Sequence, residues 1–156
     1  MSATHPTIRP AAVAGQFYPG DPVALAALVR HELDDAATLP AAVGAPAPHA
    51  LVVPHAGYVY SGPVAASAYA RILPRRGEIR RVVLLGPSHR VPLRTMALPA
   101  ADGFDTPLGV VPIDAGLRAT ALGRPDVVVD DRAHAHEHSL EVQLPFLQVA
   151  LGDDWT

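Results

Sequence analysis

A chain of 156 residues with 49% hydrophobic and 17% charged side chains is long enough to bury one core and too apolar to stay disordered. Its net charge of −3 excludes a general electrostatic attraction to nucleic acid or anionic membranes. The absence of cysteine excludes disulfides, thiolate metal ligands and a thiol nucleophile.

A single α/β domain over residues 1–156 is expected. The opening residues lack the charged start and apolar centre of a signal peptide, and no run approaches the roughly 18 apolar residues of a membrane span, so a cytoplasmic protein is expected. Residues 1–20 read as extended and proline-punctuated. Asp21 followed by Pro22 is a helix start, a capping carboxylate before a residue that needs no hydrogen-bond partner. Leu25, Leu28, Val29 and Leu33 then share one face, which predicts an amphipathic helix over 22–36. The Pro- and Gly-rich stretch 39–49 is a connector.

Leu51–Val53, closed by Pro54, reads as a short buried strand. Ser61 and Pro63 open a second helix, with Val64, Ala68, Tyr69 and Ile72 inward. Arg81–Leu85 is the next strand. Strand, helix and strand make a βαβ unit, which places both strands parallel in one sheet. Arg71, Arg75, Arg76, Arg80 and Arg81 crowd the connection and read as a solvated surface, with a docking patch as the alternative.

Beyond it, 94–100 and 109–114 read as two strands joined by the turn-rich "ADGFDTP". Ala115–Leu122 is a short helix, and Asp126–Asp130 a strand or an extended loop. The last element, "HSLEVQLPFLQVAL", has Leu140, Leu144, Leu147 and Leu151 at helical spacing, with Pro145 kinking or splitting it. The whole describes a central, mostly parallel or mixed sheet flanked by helices.

His55 follows the first strand of the βαβ unit and His89 the second. Ligands in open α/β sheets bind outside the carboxyl ends of the strands, so both imidazoles open on one edge. Two histidines and a carboxylate are the ligand set of non-heme Fe(II). Ordinary hydrogen-bonding loop residues are the competing reading. In "HAHEHSLE", His134, His136 and His138 alternate and would share one face of an extended segment. Glu137 and Glu141 are one helical turn apart and can offer carboxylates to the crevice. A helix N-terminus near 138 gives Glu137 a structural role instead.

"VPHAGYVYSGPVAASAY", "RVVLLGPSHRVPL", "DGFDTPLGVVPID" and "EHSLEVQLPFLQ" resemble, in order and spacing, the Memo family, also called AmmeMemoRadiSam system protein B. The resemblance runs from Arg9 to Leu151 and implies a fold like that of class III extradiol dioxygenases, a mixed sheet between helical layers. It implies His55 and His89 as metal ligands, with Fe(II) favoured and copper or zinc as alternatives. It places Tyr58 or Tyr60 and Ser88 beside the pocket. Family members run on for about as long again, and their C-terminal part carries the third metal ligand and several strands. By this resemblance the sheet is incomplete at its C-terminal side. Glu141 or His138 are the candidates here to replace that ligand. The partners implied are an Amme-type protein and a radical SAM enzyme.

Two functions are compatible with these residues. One is a metal-dependent, dioxygenase-like oxidoreductase, in which His138 moves protons. The other is a non-enzymatic module binding a peptide or small molecule in the same crevice. A serine hydrolase built on Ser88 is disfavoured, because "GPSHR" lacks the second glycine of the nucleophile elbow.

Overall fold

The computed structural model describes residues 5–39 and 46–156, so the middle of the expected connector, 40–45, lies outside the described residues. The chain is mixed α/β. Strand β1 (Ile8–Arg9) precedes helix α1 (Pro22–Ala37), helix α2 (Tyr58–Tyr69) and a 3-10 helix (Ala70–Arg75). Strands β2 (Met96–Leu98), β3 (Gly103–Phe104) and β4 (Val111–Pro112) lead to helix α3 (Ala115–Leu122) and strand β5 (Val127–Val129). Helix α4 (Arg132–Ala135), a 3-10 turn (Glu141–Gln143) and helix α5 (Leu144–Leu151) complete it. No helix among the described residues is long and apolar enough to cross a membrane.

Helix α1 starts where the sequence predicts: the Asp21 carboxylate accepts from the Ala24 N–H at 2.8 Å, with Pro22 in the first turn. Its buried stripe, Leu25, Val29, Leu33 and Ala36, packs on α2 and α5. Helix α2 begins earlier than expected, at Tyr58, because the Tyr58 N–H is fixed to the Phe17 carbonyl at 2.7 Å. Pro63 therefore lies inside the helix, tolerated because the residue whose carbonyl it frees, Val59, is exposed to water. Val64, expected inward, is exposed; Ala65, Ala66 and Tyr69 face the core. Pro145 splits the last element into the 3-10 turn and α5. Fully buried Phe146 then sits between Tyr58 and Tyr69, ring centroids 4.9 and 5.3 Å away.

Among the described residues the strands pair in two small sheets. Strand β3 lies within "ADGFDTP", where a turn was expected, and forms a mixed sheet with β1 (parallel) and β4 (antiparallel). Strand β2 pairs in parallel with β5, so of the expected 126–130 it is Val127–Val129 that forms a strand. Leu51–Val53 and Arg81–Leu85 run extended, but no backbone ladder joins them among the described residues. Leu51, Val53, Val82 and Leu84 pack against the helical core, while Val52, Val83 and Leu85 point to solvent. The five crowded arginines each have a partner, Arg75 its near neighbour Glu78, Arg80 Asp154, Arg81 Asp114, and Arg71 and Arg76 backbone carbonyls.

Candidate metal centre

The His55 loop is held from both sides. Gln143 Nε2 donates to the Pro54 carbonyl at 3.1 Å, and Gln143 is itself fixed by the Tyr69 hydroxyl at 2.7 Å. Beyond the histidine, the Ser61 hydroxyl donates to the Ala56 carbonyl at 3.1 Å. The His89 loop is held by Ser139, whose hydroxyl donates to the Pro87 carbonyl at 2.8 Å. Gly86 permits that approach, since a Cβ there would lie 2.8 Å from Ser139 Oγ and 2.9 Å from Leu140 Cδ2.

His138 joins the pair from the segment before the 3-10 turn. The three ring centroids stand 5.2 Å (His55–His89), 4.7 Å (His89–His138) and 6.0 Å (His55–His138) apart. An imidazole nitrogen bound at about 2.1 Å places its ring centroid about 3.2 Å from the ion, so two rings ligating at octahedral or tetrahedral angles stand about 4.5–5.3 Å apart. The His55–His89 and His89–His138 spacings both fall in that range.

Glu137 organises the cluster. Its Oε1 accepts from His89 Nδ1 at 2.9 Å, from the His138 N–H at 2.8 Å and from the Ser139 N–H at 2.9 Å; its Oε2 accepts from the His89 N–H. Burial opposes ionisation of Glu137, but the donors of His89, Ser139 and His138 outweigh it and hold the carboxyl at about 2. An ionised carboxylate obliges His89 Nδ1 to carry the proton, which leaves the Nε2 lone pair free for a metal. His89, Glu137 and His138 also place potential ligand atoms within 4.8 Å of one another. Glu137 is already committed to four protein donors, so its chemistry is that of an orienting group. Burial lowers the pKa of His138, against the pull of Glu137 and with the neighbouring His89, His55 and Arg90, which favours the neutral ring.

A family model described as "Memo-like protein" matches residues 9–154. The chain belongs to the Memo family. Among its relatives are "MEMO1 family protein MK0963" of Methanopyrus kandleri, 46% identical over 94% of this chain and 53% of that protein, and a "MEMO1 family protein" of Aquifex aeolicus, 44% identical over 90% of this chain and 49% of that one. A third, from Ignicoccus hospitalis, is 42% identical over 95% of this chain and 54% of its own length. This Memo chain thus spans about half the length of these curated relatives.

Among the residues expected at the pocket, only Tyr60 lines the open cleft of about 750 Å³ that contains His55, His89 and His138, with Phe17, Val52 and Pro54 forming its apolar wall. Tyr58 turns the other way into the core, its hydroxyl donating to the Val142 carbonyl at 2.7 Å. The Ser88 hydroxyl is engaged within its own loop, donating to the Val91 carbonyl at 2.7 Å. The alternating histidines do not share a face, because 132–135 is helical: His134 is buried, with Nε2 3.1 Å from the Ala97 carbonyl, and His136 is exposed.

Glu141 does not reach the crevice. It is fully buried and accepts from the Tyr18 hydroxyl (2.6 Å), the Ala12 and Val13 N–H groups (2.9 and 3.0 Å) and Arg9 Nη1. Arg9 also donates to the His134 and Glu137 carbonyls. In this Memo chain the hub anchors the N-terminal segment against the segment that carries Glu137 and His138. Sequence reading missed it because its partners lie more than a hundred residues apart; the buried pairing of Arg9 with a carboxylate leaves no local pattern.

Proposed function

We propose that this Memo chain provides a mononuclear non-heme metal site in which His55 and His89 bind the metal and His138 handles protons at the bound substrate. The observation that carries the reading is the His55–His89 spacing of 5.2 Å together with the carboxylate of Glu137 on His89 Nδ1. Fe(II), favoured here over copper or zinc, would supply open coordination positions for an oxygen-bearing substrate and for dioxygen-dependent redox chemistry. Glu137 fixes the tautomer of His89, and Gln143 and Ser139 hold the two loops at the reach the ligands need. Neutral His138, at 4.7 Å from His89, is placed to accept a proton from a ligand in the cleft. Phe17 and Pro54 shield one side from water.

The test is anaerobic calorimetric titration of Fe(II), and separately of Zn(II) and Cu(II), into the chain and its His55→Ala, His89→Ala and His138→Ala variants. Loss of affinity in the first two with retention in the third supports the assignment. Equal affinity in all four chains sinks the metal site, and a matching loss in His138→Ala moves that residue among the ligands.

The mostly apolar cleft, with Tyr60 83% exposed at its rim, favours a second reading. There the cleft binds a peptide segment, of an Amme-type protein or a radical SAM enzyme, without metal chemistry. Undiminished peptide binding in a His55→Ala/His89→Ala double variant would favour it.

A further inference from the structure

Helix α1 carries one carboxylate on its inward stripe. Glu32 follows Val29 by three residues and Leu28 by four, so the helical period turns it inward with them. It meets α2 at Gly62, and only glycine leaves it room: a Cβ there would lie 2.5 and 2.6 Å from the two carboxylate oxygens. The head group therefore rests directly against the backbone of α2. Its Oε2 is buried and has no hydrogen-bond partner among the described residues.

Helix α1 packs on α2, α5 and the 3-10 helix at 70–75. Helix α5 carries no ionisable side chain, and Arg71 and Arg75 of the 3-10 helix bond instead to the Pro46 carbonyl and to Glu78. On α2, Tyr58 and Tyr69 donate to the Val142 carbonyl and to Gln143, and Tyr60 is exposed. On α1 itself, Arg30 and Asp34 are exposed, and exposed His31 lies 3.5 Å from Asp35. Burial raises the pKa of Glu32 above the ordinary 4.5 and outweighs the opposite pull of His31. A neutral carboxyl without a partner costs far less to bury than a carboxylate.

The residues next to Gly62 hold the loop that carries His55. The Ser61 hydroxyl donates to the Ala56 carbonyl at 3.1 Å, and the Tyr60 and Ser61 N–H groups donate to the Gly57 carbonyl at 2.9 and 3.1 Å. We propose that Glu32 is a proton-operated latch on the seam between α1 and α2. Neutral, it stays closed on Gly62. Ionised, it swings to water, the seam loosens, and the first turn of α2 frays together with residues 55–57. The latch does not depend on a metal in the cleft.

Because the folded-state pKa is raised, the stability that the closed latch contributes is complete below 4.5 and is lost as pH rises through the raised value. Urea unfolding and amide exchange from pH 4.5 to 8 are compared in three chains. One is the parent; Glu32→Gln keeps the shape and cannot ionise; Gly62→Ala expels the carboxylate with a methyl group but leaves it in the chain. Relative to Glu32→Gln, the unfolding constant of the parent should rise about threefold or more over that interval, and its Tyr60 and Ser61 amides should lose protection by a similar factor. Taking the difference cancels the titration of His134 and of every other group the two chains share. Gly62→Ala should follow Glu32→Gln in slope. Parallel curves for the parent and Glu32→Gln overturn the proposal, as does a slope that survives in Gly62→Ala. A parent that gains on Glu32→Gln as pH rises overturns it too, since the carboxylate would then be held in its ionised form. So does a stability loss that leaves the Tyr60 and Ser61 amides as protected as before.

Discussion

Glu137 takes two hydrogen bonds from one residue, His89, at its backbone N–H and at ring Nδ1. One carboxylate thereby sets the position of a loop and the tautomer of the imidazole it presents. Replacing it with alanine frees the ring to rotate and to place its proton on Nε2. Glu137→Ala should lower metal affinity roughly 10- to 100-fold, the usual effect of losing a partner behind a ligating histidine. Titration calorimetry reads this, and unaltered affinity would show that the ring needs no such support.

Gly86 offers an independent route to the same loop. Gly86→Ala pushes a methyl group against Ser139 Oγ and Leu140 Cδ2, and the Ser139 bond to the Pro87 carbonyl must lengthen. The expected outcome is weaker metal binding, with helical content by circular dichroism unchanged. Ser139→Ala, which removes the bond without adding bulk, should show a smaller effect in the same direction.

The hub at Glu141 is a stability prediction. Glu141→Ala leaves the Arg9 guanidinium buried without its counter-charge and should cost about 3–5 kcal/mol in urea unfolding. Tyr18→Phe removes one hydroxyl donor from the same carboxylate and should cost about 1 kcal/mol. A Glu141→Ala chain as stable as the parent would deny the hub its role.

Acid sensitivity follows from His134. Burial lowers its pKa below the ordinary 6.5, against the raising effect of the Ala97 carbonyl. Between the depressed value and 6.5 the unfolded chain binds more protons than the folded one, so stability rises with pH there. The contribution is complete above 6.5 and is lost as pH falls through the lowered value. Unfolding midpoints measured from pH 4 to 8 should decline on the acid side, and His134→Gln should flatten that decline.

Local signals were legible and distant ones were not. Asp21, Pro22 and the 3.6-residue stripe define α1 without help from the rest of the fold, and Pro145 marks the break in the last element unaided. The loops of His55 and His89 were readable because an apolar run ending at Pro or Gly announces a turn, although neither run is a strand among the described residues. Glu141 was misplaced because its spacing from Glu137 assumed one continuous helix. Residues 138–140 are not helical, and the 3-10 turn that follows turns the carboxylate toward Arg9. Strand β3 was hidden inside a turn-like sequence, since two residues with partners at Ile8 and Val111 carry no periodicity of their own. The double role of Glu137 needed His89, 48 positions away, to become visible.

The bond between Arg9 and Glu141 spans 132 positions of the chain. During synthesis, residues 8–18 leave the ribosome long before Glu141 and find their acceptor only when it has followed. Contacts of such separation are slow to form, because a long loop must close before they contribute. Residues 8–18, although made well before Glu141, are therefore fixed only after it, and the histidine cluster takes its final shape with them.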